Sequence, residues 1–497
     1  MTQTHTTHDT PLTLQSDLAG ERPIYLYLSA DKKTLLYSQN IFELLEDERV
    51  EKPLNISYEA ISFLLQSGVV PPPKTAYQNV YILGIGYTLQ VKTVNEQLEL
   101  EFNYEFPFLN ANRLSDGQMT PDLDHILDLV AEATINRIDP SKETFLFHSA
   151  GKDSNTIALA LAKAGWQDRV TLISHKSKGD KDESEISKSI ADKLGFKHKI
   201  LHEVDELQDE HKKAIDEYFV NAPFPCTDNV SLAYPLYAHQ MPELRGANVM
   251  DGGMNDRYMC APPSSRNLKV IPISKYTQSL SFLRGFTHSE NMLTPLLRTP
   301  IEWCGMSGLS FGDTMMILPN ADNVYKYWKN ESDKRKDWDI FDFTTEGATP
   351  ISTEMFQRKA RNFTDSIGAN MILPFATEKV AKYFSSMPES YLFDRKTLKN
   401  KLILRQLLKE RLNLDSDQLG KLGFTYDSRA IVLNNWQMIT QEINNCTLWN
   451  QKGIQNLCRR LRKKMDGKGW GAGASGRLIY RLYLLSAWYN KNKYLSL

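Results

Sequence analysis

One stretch constrains this chain more than any other: Phe145-Leu-Phe-His-Ser149-Ala-Gly151-Lys152-Asp153-Ser154-Asn155-Thr156, followed by Ile157-Ala-Leu-Ala-Leu-Ala. An apolar run ends in a turn of small polar residues, and an alanine-rich helical pattern begins at once. A strand, a tight turn and a helix N-terminus in that order aim several backbone N–H groups and the positive end of a helix dipole at one point. Ser149 and Ser154 add hydroxyl donors, and Asp153 adds a carboxylate able to hold magnesium between phosphates. A nucleotide phosphate is the expected ligand. The Walker sequence G-x-x-x-x-G-K-[ST] and the dinucleotide fingerprint G-x-G-x-x-G are both absent. An ordinary Ser or Asp helix cap is the competing explanation of the turn.

A chain of 497 residues predicts two or three domains with a large core. Its 59 Lys and Arg nearly balance 60 Asp and Glu, so no overall charge recruits nucleic acid. Cys226, Cys260, Cys304, Cys446 and Cys458 are scattered without a C-x-x-C pair, which suggests neither zinc nor a disulfide framework and predicts a reducing compartment. No secretory signal is read at the start. The apolar stretch 478–489 is too short to span a bilayer and contains Arg481. A cytoplasmic protein without a membrane partner is expected.

Residues 1–19 read as a disordered leader. Strand patterns then recur at 24–28, 34–37, 80–83 and 98–102, with one helical segment from Tyr58, giving a small α+β domain over 20–120. A helix with Leu123, Ile126, Leu127, Val130 and Ala133 on one face follows. From 121 onward strand and helix alternate, with strands at 145–147, 170–174 and 248–250, which predicts a doubly wound parallel sheet and then a helical C-terminal part. Ligands of such sheets sit at the carboxyl ends of strands, where the Ser149 turn falls. The basic, then Gly-rich segment 458–473 reads as a solvated helix end and loop.

The turn resembles the S-G-G-x-D-S pyrophosphate loop of the ATP pyrophosphatase group, with Ala150 at one glycine position. Further segments follow in the order found in the asparagine synthetase family, which includes lactam synthetases and peptide cyclases. These are 58–87, Asp182-Glu-Ser-Glu185 to His198, and Pro223 to Asp228. After them come Met250-Asp-Gly252-Gly-Met-Asn-Asp256, Arg358 to Phe375, Asn400-Lys401-Leu-Ile-Leu-Arg405 and Lys421-Leu-Gly-Phe424. The resemblance implies a fold of the adenine nucleotide alpha hydrolase type, with ATP and magnesium as cofactors. It implies that Ser149, Gly151, Lys152, Asp153, Ser154, Asn155 and Gly252 bind the nucleotide and that Asp153 and Asp256 bind the metal. Lys421 is implied as the catalytic cation that stabilises charge on the phosphoryl centre and on the tetrahedral intermediate, work that a dry pocket favours.

Departures from the family shape the expectation. The family's glutaminase uses an N-terminal cysteine, whereas Thr2 stands here and no cysteine precedes Cys226. The 20–120 domain is therefore expected to be a vestigial glutaminase-like unit, and the amine to come from the acceptor, free ammonia or a partner protein. Arg257 replaces the glutamate that follows the metal aspartate in asparagine-forming members. Gly253 stands where small-ring lactam synthetases carry tyrosine, and Tyr258 is out of register. The expected activity is AMP-forming ligation of a small-molecule or peptide carboxylate to an amine in specialised metabolism, with a partner biosynthetic protein and a homodimer left open. Alternatives are asparagine formation from free ammonia, β-lactam synthesis, and an ATP-binding scaffold with little turnover.

Overall fold

Alternate residues of the buried strands serve two different cores. Phe145, Ile173 and Val249 enter one, while Leu146, Leu172 and Met250 enter the other. Strands apolar on both faces, joined by helices, are what a parallel sheet covered on both sides requires. The computed structural model describes residues 1–178, 182–291, 293–419 and 426–495. The N-terminal part holds β1 (Gln3–Thr6), β2 (Leu12–Gln15), β3 (Ile24–Leu28), β4 (Thr34–Ser38), β5 (Val80–Leu83), β6 (Tyr87–Val94) and β7 (Gln97–Tyr104). These form two antiparallel sheets, ordered β1-β4-β3-β5 and β2-β6-β7. Helices α1 (Ile41–Glu46) and α2 (Tyr58–Ser67) belong to the same part.

The leader expected to be disordered is instead partly strand. Gln3–Thr6 pairs antiparallel with β4, and Leu12–Gln15 pairs with β6. Polar, Thr-rich segments of this kind suit edge positions, where half of each strand's hydrogen bonds come from a neighbour and little apolar surface is needed.

Beyond α3 (Leu123–Ile135) come β8 (Thr144–Phe147), α4 (Lys152–Lys163), β9 (Thr171–Lys176), α5 (Ser184–Leu194) and β10 (Lys197–His202). Later in the chain lie β11 (Asn248–Met250) and β12 (Asn370–Ile372). The sheet order is β10-β9-β8-β11-β12, with every pair parallel. The chain moves outward from β8 through β9 to β10, then crosses back to place β11 on the other side of β8. The order reverses between β8 and β11, and the crevice at that switch point is where such sheets bind ligands.

Under the crevice, His148 is buried. Its Nε2 faces the side-chain oxygen of Asn155 at 3.2 Å and its Nδ1 faces the Ser187 hydroxyl at 2.7 Å. Asn155 Oδ1 can only accept, which places the single ring proton on Nε2 and makes Ser187 the donor to Nδ1. Burial pushes the imidazole down to about 3. The unfolded chain therefore takes up a proton below pH ~6.5 that the folded chain refuses. Stability from this residue should be complete above pH ~6.5 and fall by about 1.4 kcal/mol per pH unit toward the folded value. Denaturant unfolding of wild type and His148→Gln across that window checks this, since the variant should show a shallower acid slope.

Candidate active site

The two loops that leave β8 and β11 meet across the switch point. The first is built from 149–155. Ser149 Oγ accepts from the Gly151 N–H at 3.0 Å, and the Ser149 N–H donates to Ser154 Oγ at 3.2 Å. Asn155 donates to the carbonyls of Ser149 at 3.0 Å and Gly151 at 2.7 Å and is itself fully buried. Asn155 thus lies beneath the loop and fixes its shape, while Ser149, Gly151, Asp153 and Ser154 line the cavity. Lys152 is the first residue of α4 and Asp153 sits in its first turn.

Gly252, in the second loop, allows the two loops to touch. A Cβ there would stand 2.9 Å from Asp153 Cβ and 3.0 Å from the Ser154 nitrogen. Any side chain would force the loops apart. Asn255, from the same loop, donates to Asp153 Oδ1 at 2.7 Å. Met254 keeps a left-handed backbone (φ 90°), a strained conformation for a side-chain-bearing residue.

A third segment completes the site. Lys401, immediately before the helix Leu402–Leu412, has a left-handed backbone and is 4 % exposed. Its Nζ lies 2.7 Å from Asp153 Oδ2 and 2.9 Å from Asp256 Oδ1. Burial alone would favour the neutral amine, but the two carboxylates outweigh it and raise the ammonium above its ordinary value. The family motifs bring Asp153 and Asp256 together, and the structure does place them around one point. Sequence alone gives Lys401 no role. Its only signal is its place in Asn400-Lys401-Leu-Ile-Leu-Arg405, a segment that resembles the family without naming a function for the lysine. Two oxygens converging on one cation are the hard donors a magnesium ion takes, so Asp153 and Asp256 could hold one. Lys421 lies outside the described residues.

The cavity, about 250 Å³, extends from these loops along Phe147, Ile173, His175, Tyr234 and Tyr237. That apolar and aromatic wall offers a face for a planar base beside the phosphate loop. Two acids also line it. Glu183 accepts from the Ala150 N–H at 2.8 Å, and burial raises its carboxyl. Burial likewise raises Asp251, which accepts from the Gly253 N–H at 2.7 Å.

Arg257 does not face this cavity. It is 2 % exposed, donates to the Ala19 carbonyl at 3.1 Å and packs on Met254 sulfur, and burial pulls its guanidinium down to about 10. Arg361 donates to the carbonyls of Gly20 at 3.1 Å and Glu21 at 2.9 Å. The residue that replaces the family's glutamate therefore anchors the loop after β11 to the N-terminal part. Tyr258 is equally buried and donates to the Phe375 carbonyl at 2.7 Å.

A phosphate loop at the switch point, faced by a second acidic loop, defines a class of nucleotide-using enzyme, and a family model settles which: the model of asparagine synthase matches residues 125–463, more than half of the chain. The chain belongs to the asparagine synthase family, whose members are ATP-dependent ligases that form carbon–nitrogen bonds. No curated protein matches the chain closely enough to count as a relative. Among the described residues no helix is long and apolar enough to cross a membrane.

Two substitutions test the arrangement. Gly252→Ala should leave the fold intact and lower ATP-dependent turnover by about 100-fold or more, because the loops must separate. Lys401→Met should cost about 2–3 kcal/mol, less than the ~3–5 of a fully buried pair because Asp256 is half exposed. Thermal melts should show that deficit narrowing as magnesium is added, since the metal restores positive charge between the carboxylates.

Proposed function

We propose that this protein adenylates a carboxylate with ATP, releases pyrophosphate, and couples the acyl group to an amine that glutamine does not supply. The single observation that carries this reading is the meeting of the 149–155 loop, Asp256 and Lys401 at the sheet's switch point. The loop N–H groups, Ser149 and Ser154 would hold the departing pyrophosphate. Asp153 and Asp256 would bind magnesium, which supplies charge neutralisation between phosphate oxygens. Lys401 would hold the same two carboxylates in register and lend its ammonium to the phosphoryl centre. Lys421 would stabilise charge in both half-reactions, as the family resemblance implies. The amine must reach the acyl carbonyl uncharged, so a base must remove its proton before or during attack.

Cysteine chemistry supports an amine from a source other than glutamine. All five cysteines are buried, and burial pushes Cys226 up to about 11 and Cys260, Cys446 and Cys458 up to about 12. Cys304 is raised further by the same cause. A glutaminase nucleophile needs an accessible thiolate. The domain over 20–120 would then serve as a structural cover for the metal loop, with Arg257 and Arg361 as its anchors. Amide formation in natural-product biosynthesis, by peptide cyclisation or small-molecule condensation, is the role we assign.

Pyrophosphate release measured over a panel of amino acids, small carboxylic acids and peptides, with and without glutamine, tests the proposal. Release that depends on a carboxylate and is indifferent to glutamine is expected. ATP binding with no carboxylate-dependent release would point to a scaffold. Lys421→Met should keep ATP binding while stopping amide formation, and unchanged turnover would remove Lys421 from the chemistry.

A further inference from the structure

Most of the large hydrophobic side chains exposed among the described residues are concentrated in 268–296, just past the metal loop. Phe286 is 84 % exposed, Tyr276 81 % and Phe282 67 %, and Ile273, Leu293 and Leu296 are more than 45 % exposed. They stand on the helix Ser265–Thr277 and on the short helical turns Gln278–Phe286 and Thr294–Leu297, with Leu293 just before the last. These side chains are exposed on elements that pack on one another, and clustered exposed apolar groups of this kind mark an interaction site.

Along most of the segment itself the charge has one sign. Between Asp256 and Glu290 the chain has no acidic residue, and Arg266, Lys269 and Lys275 are exposed there. The turn Gln278–Phe286 packs on the helix Phe311–Ile317, which in turn packs on the helix Gln451–Met465. Arg460 of the former pairs with Glu290, at the end of the patch segment, at 2.7 Å. The apolar face of Gln451–Met465 is buried through Ile454, Leu457 and Leu461, while Arg459, Lys463 and Lys464 remain exposed. From sequence alone this basic segment reads as no more than a solvated helix end. Net charge over the whole chain is −1, so these cations are a local concentration and no consequence of a basic protein.

We propose that this face rests on an anionic phospholipid surface, with the aromatic and aliphatic side chains entering the headgroup boundary and the lysines and arginines facing lipid phosphates. Protruding apolar groups ringed by cations are the pattern of interfacial attachment. A second copy of the chain fits less well, because two such faces would oppose like charges. The sequence-based expectation of no membrane partner rests on the lack of a spanning segment, which surface attachment does not need. The proposal is independent of the carboxylate that the ligase uses.

Co-sedimentation of the full-length protein with phosphatidylcholine vesicles, with and without phosphatidylglycerol, tests it. Wild type should sediment with the anionic vesicles only and be released when salt rises from about 0.1 M to about 1 M, which shortens the screening length from about 10 Å to about 3 Å. The double variants Phe282→Ser/Phe286→Ser and Lys463→Gln/Lys464→Gln should each weaken partitioning about tenfold or more while keeping the wild-type melting curve and pyrophosphate release. Wild type remaining in the supernatant would overturn the proposal, as would variants that sediment like wild type. A concentration-dependent dimer abolished by Phe286→Ser would also overturn it, by assigning the face to a second copy.

Discussion

The ammonium of Lys401, held between Asp153 and Asp256, is the contact on which the rest of the site depends. The three groups come from segments that begin at 149, 251 and 400, and no local sequence rule brings them together. Two carboxylates facing one another across a narrow gap repel, and a buried lysine without them would lose its proton. Each is tolerable only because the others are present. In the proposed reaction the remaining carboxylate oxygens would face a magnesium ion while Lys401 keeps the two acids in register. Gly252 sets how near the loops can come, and Asn255 fixes Asp153 from its other side.

Sheet topology explains why these loops meet at all. β8 and β11 are neighbours although about a hundred residues separate them, and both deliver loops at their carboxyl ends to one crevice. The N-terminal part reaches this crevice indirectly. Arg257 leaves the loop after β11 without lining the cavity and donates to the Ala19 carbonyl, and Arg361 secures the next turn. A residue that in sequence reads as a lost active-site acid is thus a tie between two parts of the fold.

How much of this is legible in the sequence follows from the range of each interaction. The strand, turn and helix around Ser149 are readable because a phosphate loop is local and its glycine and hydroxyl spacing is stereotyped. The pairing of Asp153 with Asp256 is readable only through motif order. The motif puts Asn155 among the nucleotide-binding residues, but its amide satisfies two loop carbonyls from below, a distinction that spacing does not encode. β1 and β2 escape a sequence reading because edge strands need little apolar periodicity. Lys401 escapes it because its partner Asp153 is 248 residues away. The direction of Arg257 depends on packing against a different part of the chain.

At the centre of the proposed chemistry a carboxylate oxygen attacks the α-phosphorus of ATP. Running the reaction with a substrate whose carboxylate carries ¹⁸O tests this directly. The account predicts one labelled oxygen in the AMP formed and none in pyrophosphate. Label appearing in inorganic phosphate with ADP as the co-product, or AMP free of label, would contradict it.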